Sequence, residues 1–461
     1  MDAALRAATR VHCVGVAGSG MNSMALLLRA MDKQVSGSDL GGGPTLEKLR
    51  QAGVRVHQGH LAQHLQDAEL VIRSAAVGQD NPEVAEALRR GIAVLTHAQA
   101  LGALMRERIG LAVAGTHGKT TTTAMLAWVL AVAGLDPSLA LGGEAIDFDA
   151  SARLGRGPHL VAEADEFGRR FLQLSPRLAI VTNVEADHLD YYHDLDEIVE
   201  AFRVFASRVH PDGVLITCAD APLLDALDLP ATRLRYGRAA HADWRIESYR
   251  ARPGGGCDFE LRATHGALER YQLVLSGEHN ALNATAVVAA ARWVGVDAKR
   301  TAEALGTFHG TRRRFETKGV IGGITVMDDY AHHPTELLAT LAAARGAHSG
   351  RILAVFQPHT SNRTANLLDA FTTAFGDADR VLLLPIYHPA GREPETLAIR
   401  SEDLAATMAD VQVEVASSLD DAVERLLTIA QPGDLVLTMG AGDVNLIGDR
   451  LLARLTSGGR A

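Results

Sequence analysis

The residues best suited to chemistry stand in a glycine-rich segment that follows an apolar run and precedes a helical pattern. Glycines let backbone N–H groups point toward a phosphate, and the start of a helix adds partial positive charge. We expect Lys119, one of only five lysines in the chain, to reach the β- and γ-phosphates of a nucleotide, and the Thr120 hydroxyl to help hold Mg²⁺. The usual pattern has a further glycine where Val113 stands, so a plain strand–turn–helix connection is the alternative. The segment reads Ala114-Gly115-Thr116-His117-Gly118-Lys119-Thr120-Thr121.

A second glycine-rich loop lies between the first predicted strand and the first long predicted helix. Its spacing differs from a dinucleotide-binding fingerprint, but Asp39 ends the second predicted strand, as a ribose-binding acid does in that fold. A nicotinamide cofactor and another nucleotide-bearing ligand fit this loop equally well, and a tight turn without a ligand is the third interpretation. The loop reads Gly15-Val16-Ala17-Gly18-Ser19-Gly20.

Carboxylates follow two predicted strands downstream of the phosphate loop. Glu163-Ala164-Asp165-Glu166 comes after one strand, and Asn183-Val184-Glu185-Ala186-Asp187-His188 comes after the next. Ligands bind at the carboxyl ends of strands in open α/β sheets, and Mg²⁺ takes hard oxygen ligands near phosphates. Both clusters therefore favour a cation site, and solvated acidic loops are the alternative.

Two more clusters lie near the start of the last third of the chain. Asp328-Asp329-Tyr330-Ala331-His332-His333-Pro334 ends a predicted strand, and its acids and histidines suggest zinc. We disfavour zinc because no cysteine or further histidine completes a ligand set at a familiar spacing. Gly310-Thr311-Arg312-Arg313-Arg314-Phe315 is either a solvated basic linker or a hinge that brings a guanidinium to the γ-phosphate.

Three successive stretches must position these residues, and each alternates short apolar runs with helical patterns. That alternation predicts βα units with parallel sheets, hence an α/β fold. The stretches are 1–100, 101–315 and 316–461, and alternating segments at 233–275 predict an antiparallel sheet joined to the second. The predicted strands are 11–16, 35–38, 70–74, 111–114, 159–163, 178–182, 324–327, 352–356, 381–384 and 435–438, and predicted helices include 21–31, 120–133 and 279–294.

Length and composition limit the class of protein. A chain of 461 residues exceeds the size of a single core, so two or three domains are expected. The net charge of −10, from 45 basic and 55 acidic residues, argues against a nucleic-acid or membrane-surface binder. No apolar run approaches the roughly 20 residues of a membrane span, and the three scattered cysteines suit a reducing cytoplasm.

Taken in order along the chain, these motifs resemble the ATP-dependent Mur ligases of cell-wall peptidoglycan synthesis. The resemblance covers essentially the whole chain, and the combination of motifs in this order is specific where each motif alone is not. The segments that carry it are 15–21, 36–39, 115–121, 163–166, 182–188, 277–280 with Asn283, 310–315, 328–334, 357–359 and 438–443.

The resemblance implies a three-domain fold and an activity. The domains are a Rossmann-like N-terminal domain for a UDP-sugar at 1–100, a central P-loop ATPase-type domain with a mixed sheet at 101–315, and a Rossmann-like C-terminal domain for the amino acid at 316–461. Within the family, the chain is most similar to the branch that adds L-alanine to the lactyl carboxylate of UDP-N-acetylmuramate through an acyl phosphate, with ATP and Mg²⁺. Together with the composition, this leads us to expect a cytoplasmic protein, a monomer or homodimer, with no nucleic-acid partner and no membrane insertion.

The resemblance also implies roles for individual residues. The implied catalytic residues are Lys119, Glu163, His188, Arg314 and Asp329. The implied ATP-binding residues are Gly115, Thr116, Gly118, Lys119, Thr120, Thr121, Asn280, Asn283, Arg314 and Asp329, and the implied metal ligands are Thr120, Glu163 and His188. The implied UDP-sugar residues are Gly15, Gly18, Gly20, Met21, Ser38, Asp39 and Ser74, and those near the acyl end or the amino acid are His332, His333, His359 and Arg363.

Several positions depart from the family pattern. Ala17 replaces a common glycine in the first loop. Thr360 stands where many members have a second arginine, and Ser361 where an aromatic residue is usual, so both bear on the choice of amino acid. Residues 190–210 contain no lysine, whereas members that add later amino acids use a carbamylated lysine there.

Other functions stay open at this point. A recycling ligase that joins a tripeptide to UDP-N-acetylmuramate shares the chemistry; Ser361-Asn362 favours it slightly, while 357–359 and 438–443 favour the alanine branch. A nicotinamide-dependent oxidoreductase leaves 115–121 unexplained, and a non-catalytic UDP-sugar-binding regulator leaves the catalytic set unexplained. His188 and His359 are candidates for the base that deprotonates the amine.

Overall fold

Within the described residues, three β-sheets of five, ten and six strands follow one another along the chain. The computed structural model describes residues 2–189, 191–225, 232–389 and 398–458. Helices cover the parallel strands, which is how short, continuous apolar runs become buried on both faces. No helix in these ranges has the length and apolar character needed to cross a bilayer.

The first domain is a βα unit with a wholly parallel sheet. Its elements are α1 (Asp2–Ala7), β1 (Arg10–Val14), α2 (Ser19–Ala30), β2 (Gln34–Asp39), α3 (Pro44–Gln51), β3 (Arg55–Gln58), β4 (Leu70–Arg73), α4 (Pro82–Arg89), β5 (Ala93–Thr96) and α5 (His97–Arg106). The strand order is β3-β2-β1-β4-β5, a Rossmann-like order that reverses beside β1. In such sheets ligands bind at the carboxyl end of the strands at this reversal, where the first glycine loop lies.

The second domain has a mixed sheet. Its elements are β6 (Ile109–Ala114), α6 (Lys119–Val132), β7 (Ser138–Ala145), β8 (Ala150–Arg153), β9 (His159–Glu163), β10 (Leu178–Val181), α7 (Leu195–Ala206), β11 (Val214–Cys218), α8 (Pro222–Asp225), β12 (Thr232–Gly237), β13 (Trp244–Ala251), β14 (Cys257–Ala263), β15 (Leu268–Leu273), α9 (Glu278–Val294) and α10 (Ala298–Leu305). The strand order is β15-β14-β13-β12-β11-β10-β6-β9-β7-β8, with β6 between β9 and β10. The carboxyl ends of β9 and β10 therefore flank the phosphate loop.

The third domain is a second βα unit with one antiparallel edge. Its elements are β16 (Glu316–Ile321), β17 (Ile324–Asp329), α11 (Pro334–Ala347), β18 (Ile352–Phe356), α12 (Ser361–Asn366), α13 (Leu368–Thr372), β19 (Arg380–Leu383), α14 (Ser401–Thr407), β20 (Gln412–Val415), α15 (Leu419–Ile429), β21 (Leu435–Met439) and α16 (Asn445–Gly458). The order is β16-β17-β21-β18-β19-β20, and only the β16–β17 pair among these described strands is antiparallel.

A shared apolar core fixes the first domain on the second. Met24 and Leu28 of α2 belong to the same buried cluster as Phe171 and Phe202. Ser23 Oγ of α2 also donates a hydrogen bond to the carbonyl oxygen of Leu141 in β7, at 2.6 Å. Because the domains are joined in this way, the first glycine loop and the phosphate loop open into one cavity.

The predicted α/β class and the predicted strands are confirmed. Predicted strands 159–163 and 352–356 coincide with β9 and β18, and the antiparallel extension predicted within 233–275 is formed by β13, β14 and β15. Strands β7 and β8 were not predicted, because Gly142 and Gly143 interrupt the first and neither shows a clear apolar alternation. Instead, β7 is ordered by pairing with β9, and β8 by pairing with β7.

Candidate active site at the domain junction

The loop between β6 and α6 has the backbone of a phosphate cradle. Gly115 and Gly118 have φ angles of +134° and +81°. A Cβ atom on Gly115 would lie 1.9 Å from Thr182 Oγ1, and one on Gly118 would lie 2.9 Å from Asn283 Oδ1, so glycine alone fits both positions. Helix α6 begins at Lys119 and directs its free N–H groups toward this loop.

Lys119 is held inside the loop by two carbonyl groups and a carboxylate. Its Nζ donates to the carbonyl oxygens of Gly115 (2.6 Å) and Thr116 (3.0 Å) and lies 2.9 Å from Glu166 Oε2. Burial alone would lower the pKa of Lys119, but the nearby carboxylates, Glu166 foremost, raise it. Burial raises the pKa of Glu166 to about 7 against the attraction of Lys119. The loop therefore presents a fixed ammonium cation at the start of α6.

Thr120, Glu163 and His188 form a group of cation donors beside Lys119. Thr120 Oγ1 lies 3.0 and 3.1 Å from the two Glu163 oxygens, and the N–H of Gly142 donates to Glu163 Oε2 at 2.9 Å. His188 has a φ of +56°, and its buried Nδ1 has no hydrogen-bond partner within the described chain. Hydroxyl and carboxylate oxygens are the donors that Mg²⁺ takes, so this group fits a divalent cation.

His117 connects the phosphate loop to the C-terminal domain. Its backbone N–H donates to Asn183 Oδ1 at 2.8 Å, and its ring Nδ1 lies 3.2 Å from Glu336 Oε1 in α11. Its Nε2 lies 3.5 Å from Glu185 Oε2. Burial alone would lower the pKa of His117, but Glu185 and Glu336 raise it to about 9. The imidazole is therefore a cation at neutral pH, paired across the domain boundary.

The linker before the third sheet brings Arg314 to the same junction. Arg314 Nη1 donates to Glu336 Oε1 at 3.5 Å, and its guanidinium lies 5.1 Å from the centre of the Tyr330 ring. Asp329 accepts from the N–H groups of Phe315 and Ala331, both at 2.7 Å, and so fixes the linker backbone. Burial raises the pKa of Asp329 to about 6.

A buried ion pair joins the C-terminal domain to the segment after β10. Arg363 donates to Asp187 Oδ1 from Nη2 at 2.6 Å and from Nε at 3.2 Å, and each side chain is only 8% exposed. Burial alone would raise the pKa of Asp187, but Arg363 holds it well below its usual range. Arg363 Nη1 lies 3.1 Å from His359 Nδ1, and the rings of His359 and His332 are 5.8 Å apart.

Thr360, the N-cap residue of α12, adopts a strained backbone conformation. Its φ of +64° and ψ of +139° lie in a region that β-branched residues rarely occupy. Its Oγ1 accepts from the N–H of Arg363 at 3.4 Å and caps α12. The strain is thus located where the chain turns to aim Arg363 at Asp187.

Two cavities meet at this junction. The larger, of about 690 Å³, extends from the first domain to α12, and the smaller, of about 150 Å³, lies between α9, α11 and the phosphate loop. Predicted site residues that line the larger one are Gly20, Thr116, Lys119, Thr120, Glu163, His188, Arg314, His332, His359 and Arg363. Those that line the smaller one are Gly118, Thr121, Asn280, Asn283, Arg314 and Asp329.

The loop after β1 is a tight turn anchored on β2. The N–H of Gly15 donates to the carbonyl oxygen of Ser38 at 2.8 Å, and the N–H of Ala17 donates to Asp39 Oδ2 at 2.8 Å. Gly15 has a φ of +79°, and a Cβ there would lie 2.9 Å from Ser74 Cβ. The side chain of Asp39 therefore holds the loop by accepting a hydrogen bond from the loop backbone.

Two of the predicted UDP-sugar residues are directed into the protein. Met21 is 3% exposed in the core of the first domain. The Ser38 hydroxyl donates to the buried carboxylate of Glu83. Gly18 precedes α2 as its N-cap residue.

Some contacts between side chains of this site are not predictable from the sequence. His333 was grouped with His332 and His359, but it lies beside the phosphate loop with its ring 4.8 Å from that of His117. No role was predicted for Glu336, although its place three residues after His333 is that of a capping-box acid, a signal that could have singled it out. Asp187 was named only as part of an acidic cluster, and nothing in the sequence pairs it with Arg363.

Fold and site together define a class: a three-domain α/β enzyme whose phosphate loop, cation donors and basic linker meet at one domain junction. The glycine cradle and the Thr120–Glu163 pair fit a nucleoside triphosphate with a divalent cation. The chain belongs to the Mur ligase family. Family models match along its length: the Mur ligase family catalytic domain at 10–109, the Mur ligase middle domain at 113–291, and the Mur ligase glutamate ligase domain at 313–442.

Individual relatives extend over nearly the whole chain. A UDP-N-acetylmuramate–L-alanine ligase of Anaeromyxobacter sp. (strain Fw109-5) is 43% identical over 97% of this chain and 98% of its own length. One from Acidobacterium capsulatum is 42% identical over 98% of both chains. The crystal structure of UDP-N-acetylmuramate-alanine ligase from Thermotoga maritima matches with a TM-score of 0.83 and 28% identity over 97% of this chain and 99% of that one. A murein peptide ligase from Psychrobacter arcticus matches with a TM-score of 0.72 and 30% identity over 97% and 98%.

Proposed function

We propose that the protein is an ATP-dependent ligase that adds L-alanine to the lactyl carboxylate of UDP-N-acetylmuramate in peptidoglycan synthesis. The observation that carries this proposal is the junction, where Lys119 and the Thr120–Glu163 pair face a cavity bordered by all three domains. The full-length relatives that are named for this reaction support its substrates.

The nucleotide is proposed to occupy the phosphate loop and the smaller cavity. The backbone of 115–121 would surround the phosphates, with Lys119 as a point charge, and Asn280 and Asn283 would border the adenine in the cavity between α9 and α11. Arg314 would reach the γ-phosphate from the linker. Asp329 would act mainly by joining the backbone at Phe315, the residue after Arg314, to the backbone at Ala331 after β17.

The cation site is proposed at Thr120, Glu163 and His188. Mg²⁺ bound there would neutralise phosphate charge during transfer to the carboxylate. The N–H of Gly142 and the Thr120 hydroxyl orient Glu163, so its oxygens are aimed before any ligand arrives. This pre-orientation is the contribution of the chain itself to the cation site.

The proposed reaction has two steps. The lactyl carboxylate attacks the γ-phosphate of ATP and gives an acyl phosphate and ADP. The amine of L-alanine, after losing a proton, then attacks the acyl carbon, and inorganic phosphate leaves. Both steps need positioning and fixed positive charge more than covalent help, and Lys119 and Arg314 supply that charge. The Asp187–Arg363 and His117–Glu336 contacts would hold the C-terminal domain over the cavity and keep water from the acyl phosphate.

The remaining substrates are proposed at opposite ends of the larger cavity. The UDP moiety would bind at the first loop, where Gly20 lines the larger cavity. Gly15 and Gly18 would form the backbone of this loop, whose shape depends on Asp39 and Ser74. The acyl end and L-alanine would lie near His332, His359 and Arg363. His333 lies beside the phosphate loop and does not line the larger cavity, so we propose no direct contact between it and the acyl end or L-alanine.

The proposed domain limits are 1–100, 101–315 and 316–461, and the first of these boundaries falls within α5 (His97–Arg106). All the site residues come from one chain, so a monomer and a homodimer would both carry a complete site. A cytoplasmic location is proposed because Cys13, Cys218 and Cys257 are buried free thiols.

The decisive test is the Lys119→Ala variant. We expect phosphate release that depends on both UDP-N-acetylmuramate and L-alanine to fall at least about a thousandfold, because the removed ammonium contacts the transferring phosphate. Binding of UDP-N-acetylmuramate alone, measured by calorimetry, should stay near the wild-type value, since the first loop is intact. Undiminished turnover in this variant would refute the mechanism.

The rival within this chemistry is a ligase for a whole tripeptide, which the likeness to a murein peptide ligase favours. Phosphate release with L-alanine, glycine, L-serine and a tripeptide, each with UDP-N-acetylmuramate and ATP, distinguishes them. The proposal predicts the highest kcat/KM for L-alanine. A higher value for the tripeptide would assign the chain to the recycling reaction.

A further inference from the structure

Three side chains at the boundary of the central and C-terminal domains have the composition of a transition-metal site. They are His117 of the phosphate loop, Glu185 of the segment after β10, and His333, the N-cap residue of α11. One donor atom from each lies within 4.8 Å of the other two. Both His117 Nε2 (3.5 Å) and His333 Nδ1 (4.0 Å) lie close to the same oxygen, Glu185 Oε2.

The donor set selects a particular class of cation. Two imidazole nitrogens and one carboxylate are ligands of Zn²⁺ and related dications, whereas Mg²⁺ prefers oxygen ligands. Tetrahedral bonds of about 2.1 Å would place the donors about 3.4 Å apart, so a modest rotation of the side chains closes the set. Three protein ligands leave a fourth position for water or a substrate atom.

The surroundings of the three residues support a ligand at this point. His117 Nδ1 lies 3.2 Å from Glu336 Oε1, the carboxylate–imidazole contact that orients metal-binding histidines. The Thr335 hydroxyl donates to Glu185 Oε2 at 2.7 Å and fixes that carboxylate. His333 is 5% exposed, and its Nδ1, which faces Glu185, accepts only a long hydrogen bond of 3.3 Å from the N–H of Thr335. His117 Nε2 and His333 Nε2 have no hydrogen-bond partner within the described residues. Buried nitrogens without partners are costly unless something binds them.

We propose that His117, Glu185 and His333 form a binding site for a zinc-class dication, separate from the cation donors Thr120, Glu163 and His188. The bound cation would displace the proton from His117 Nε2, join the phosphate loop to α11 and hold the two domains together. His117 and Glu185 also line the smaller cavity, so the cation would oppose entry of a nucleotide into it. The proposed site is therefore inhibitory, and it stands or falls independently of the reaction assigned above.

The test measures metal binding directly, on untagged full-length protein freed of metal by a chelator. Co²⁺ is the probe, because four-coordinate Co²⁺ with nitrogen ligands gives intense visible absorption bands. With excess Mg²⁺ present, we expect about one Co²⁺ per chain and displacement of the bands by Zn²⁺. We expect Glu185→Gln and His333→Ala each to weaken Co²⁺ binding at least about tenfold.

The matched control is His332→Ala, which removes the adjacent histidine but leaves the three donors in place. It should bind Co²⁺ as the wild type does. Thermal unfolding without metal identifies variants that retain the wild-type fold, and the isosteric Glu185→Gln variant serves if His333→Ala does not fold. The proposal is overturned if the bands are absent, if Mg²⁺ abolishes them, or if Glu185→Gln binds Co²⁺ like the wild type.

Discussion

Glu83 illustrates how a single residue acquires its properties from partners distant in the sequence. Its carboxylate is fully buried and lies 2.8 Å from His64 Nδ1 and 3.1 Å from His60 Nδ1, while the Ser38 hydroxyl donates to it. Burial alone would raise the pKa of Glu83, but the nearby His12 ring and hydrogen bonds from Ser38 and His64 lower it to about 2. This charge anchors β2, whose end holds the first glycine loop.

The lowered pKa of Glu83 makes the first domain sensitive to acid. The pKa of Glu83 in the folded protein, about 2, lies below the ordinary 4.5. The ionised carboxylate therefore contributes its full stabilisation of the folded domain above pH 4.5 and loses it as the pH falls toward 2. In the Glu83→Gln variant, the free energy of opening that protects the β1 and β2 amides from exchange should be lower by on the order of 3 kcal/mol at pH 6. Hydrogen exchange of the β1 and β2 amides in the full-length protein measures this locally.

The control for this prediction is Glu47→Gln on α3, where the carboxylate is 58% exposed. It should leave the exchange of β1 and β2 unchanged at every pH. If wild type and Glu83→Gln lost protection in parallel between pH 4.5 and 2, the assigned role of Glu83 would be wrong.

At the scale of elements, the β6–loop–α6 unit determines where the phosphate cradle can form. Gly115 packs its Cα against the end of β10, where no side-chain atom can be added. The unit therefore depends on its neighbour in the sheet as much as on its own sequence.

The Gly115→Ala variant tests this dependence. The φ of +134° and the 1.9 Å approach to Thr182 Oγ1 require the backbone to move, which should cost about 1–3 kcal/mol of stability and abolish ATP binding. Thermal unfolding and ATP titration measure the two effects. Gly42→Ala is the control, because its Cβ meets nothing within 4 Å and its φ is not positive. Wild-type stability and ATP affinity in Gly115→Ala would contradict this account.

The sequence predicted elements better than it predicted their contacts. The strands that precede each motif were identifiable because apolar runs such as 352–356 are buried on both faces and need no partner to be recognised. The chemical signatures of the loop around Lys119 were also local. The Asp187–Arg363 pair and the meeting of His117 with His333 were not predictable, because they depend on how two domains dock and not on spacing along the chain.

At the scale of the whole molecule, the C-terminal domain is held on the central one by charged side chains. Arg363 pairs with Asp187, His117 contacts Glu336, and Thr335 donates to Glu185. Such contacts exchange readily for ligand contacts, unlike the apolar core that joins the first two domains. The C-terminal domain is therefore the one expected to move.

Removing the cation of the buried pair should open the molecule. Arg363→Ala leaves Asp187 buried and unpaired, so the docked state should lose about 3–5 kcal/mol. We expect a larger radius of gyration by small-angle X-ray scattering and a large loss of turnover. Arg400→Ala, which breaks an exposed pair with Asp403 in the same domain, should change neither quantity. An unchanged radius of gyration in Arg363→Ala would show that other contacts dominate docking.

The position of Lys119 makes nucleotide binding an exchange reaction. Its ammonium group already contacts Glu166 and two loop carbonyls, so a phosphate must replace a tethered partner that is always present. The affinity for nucleotide then reflects a difference between two ionic partners, and the carboxylate can return as the product leaves. A loop built in this way gives up tight binding in return for turnover, which suits an enzyme that must release ADP in every cycle.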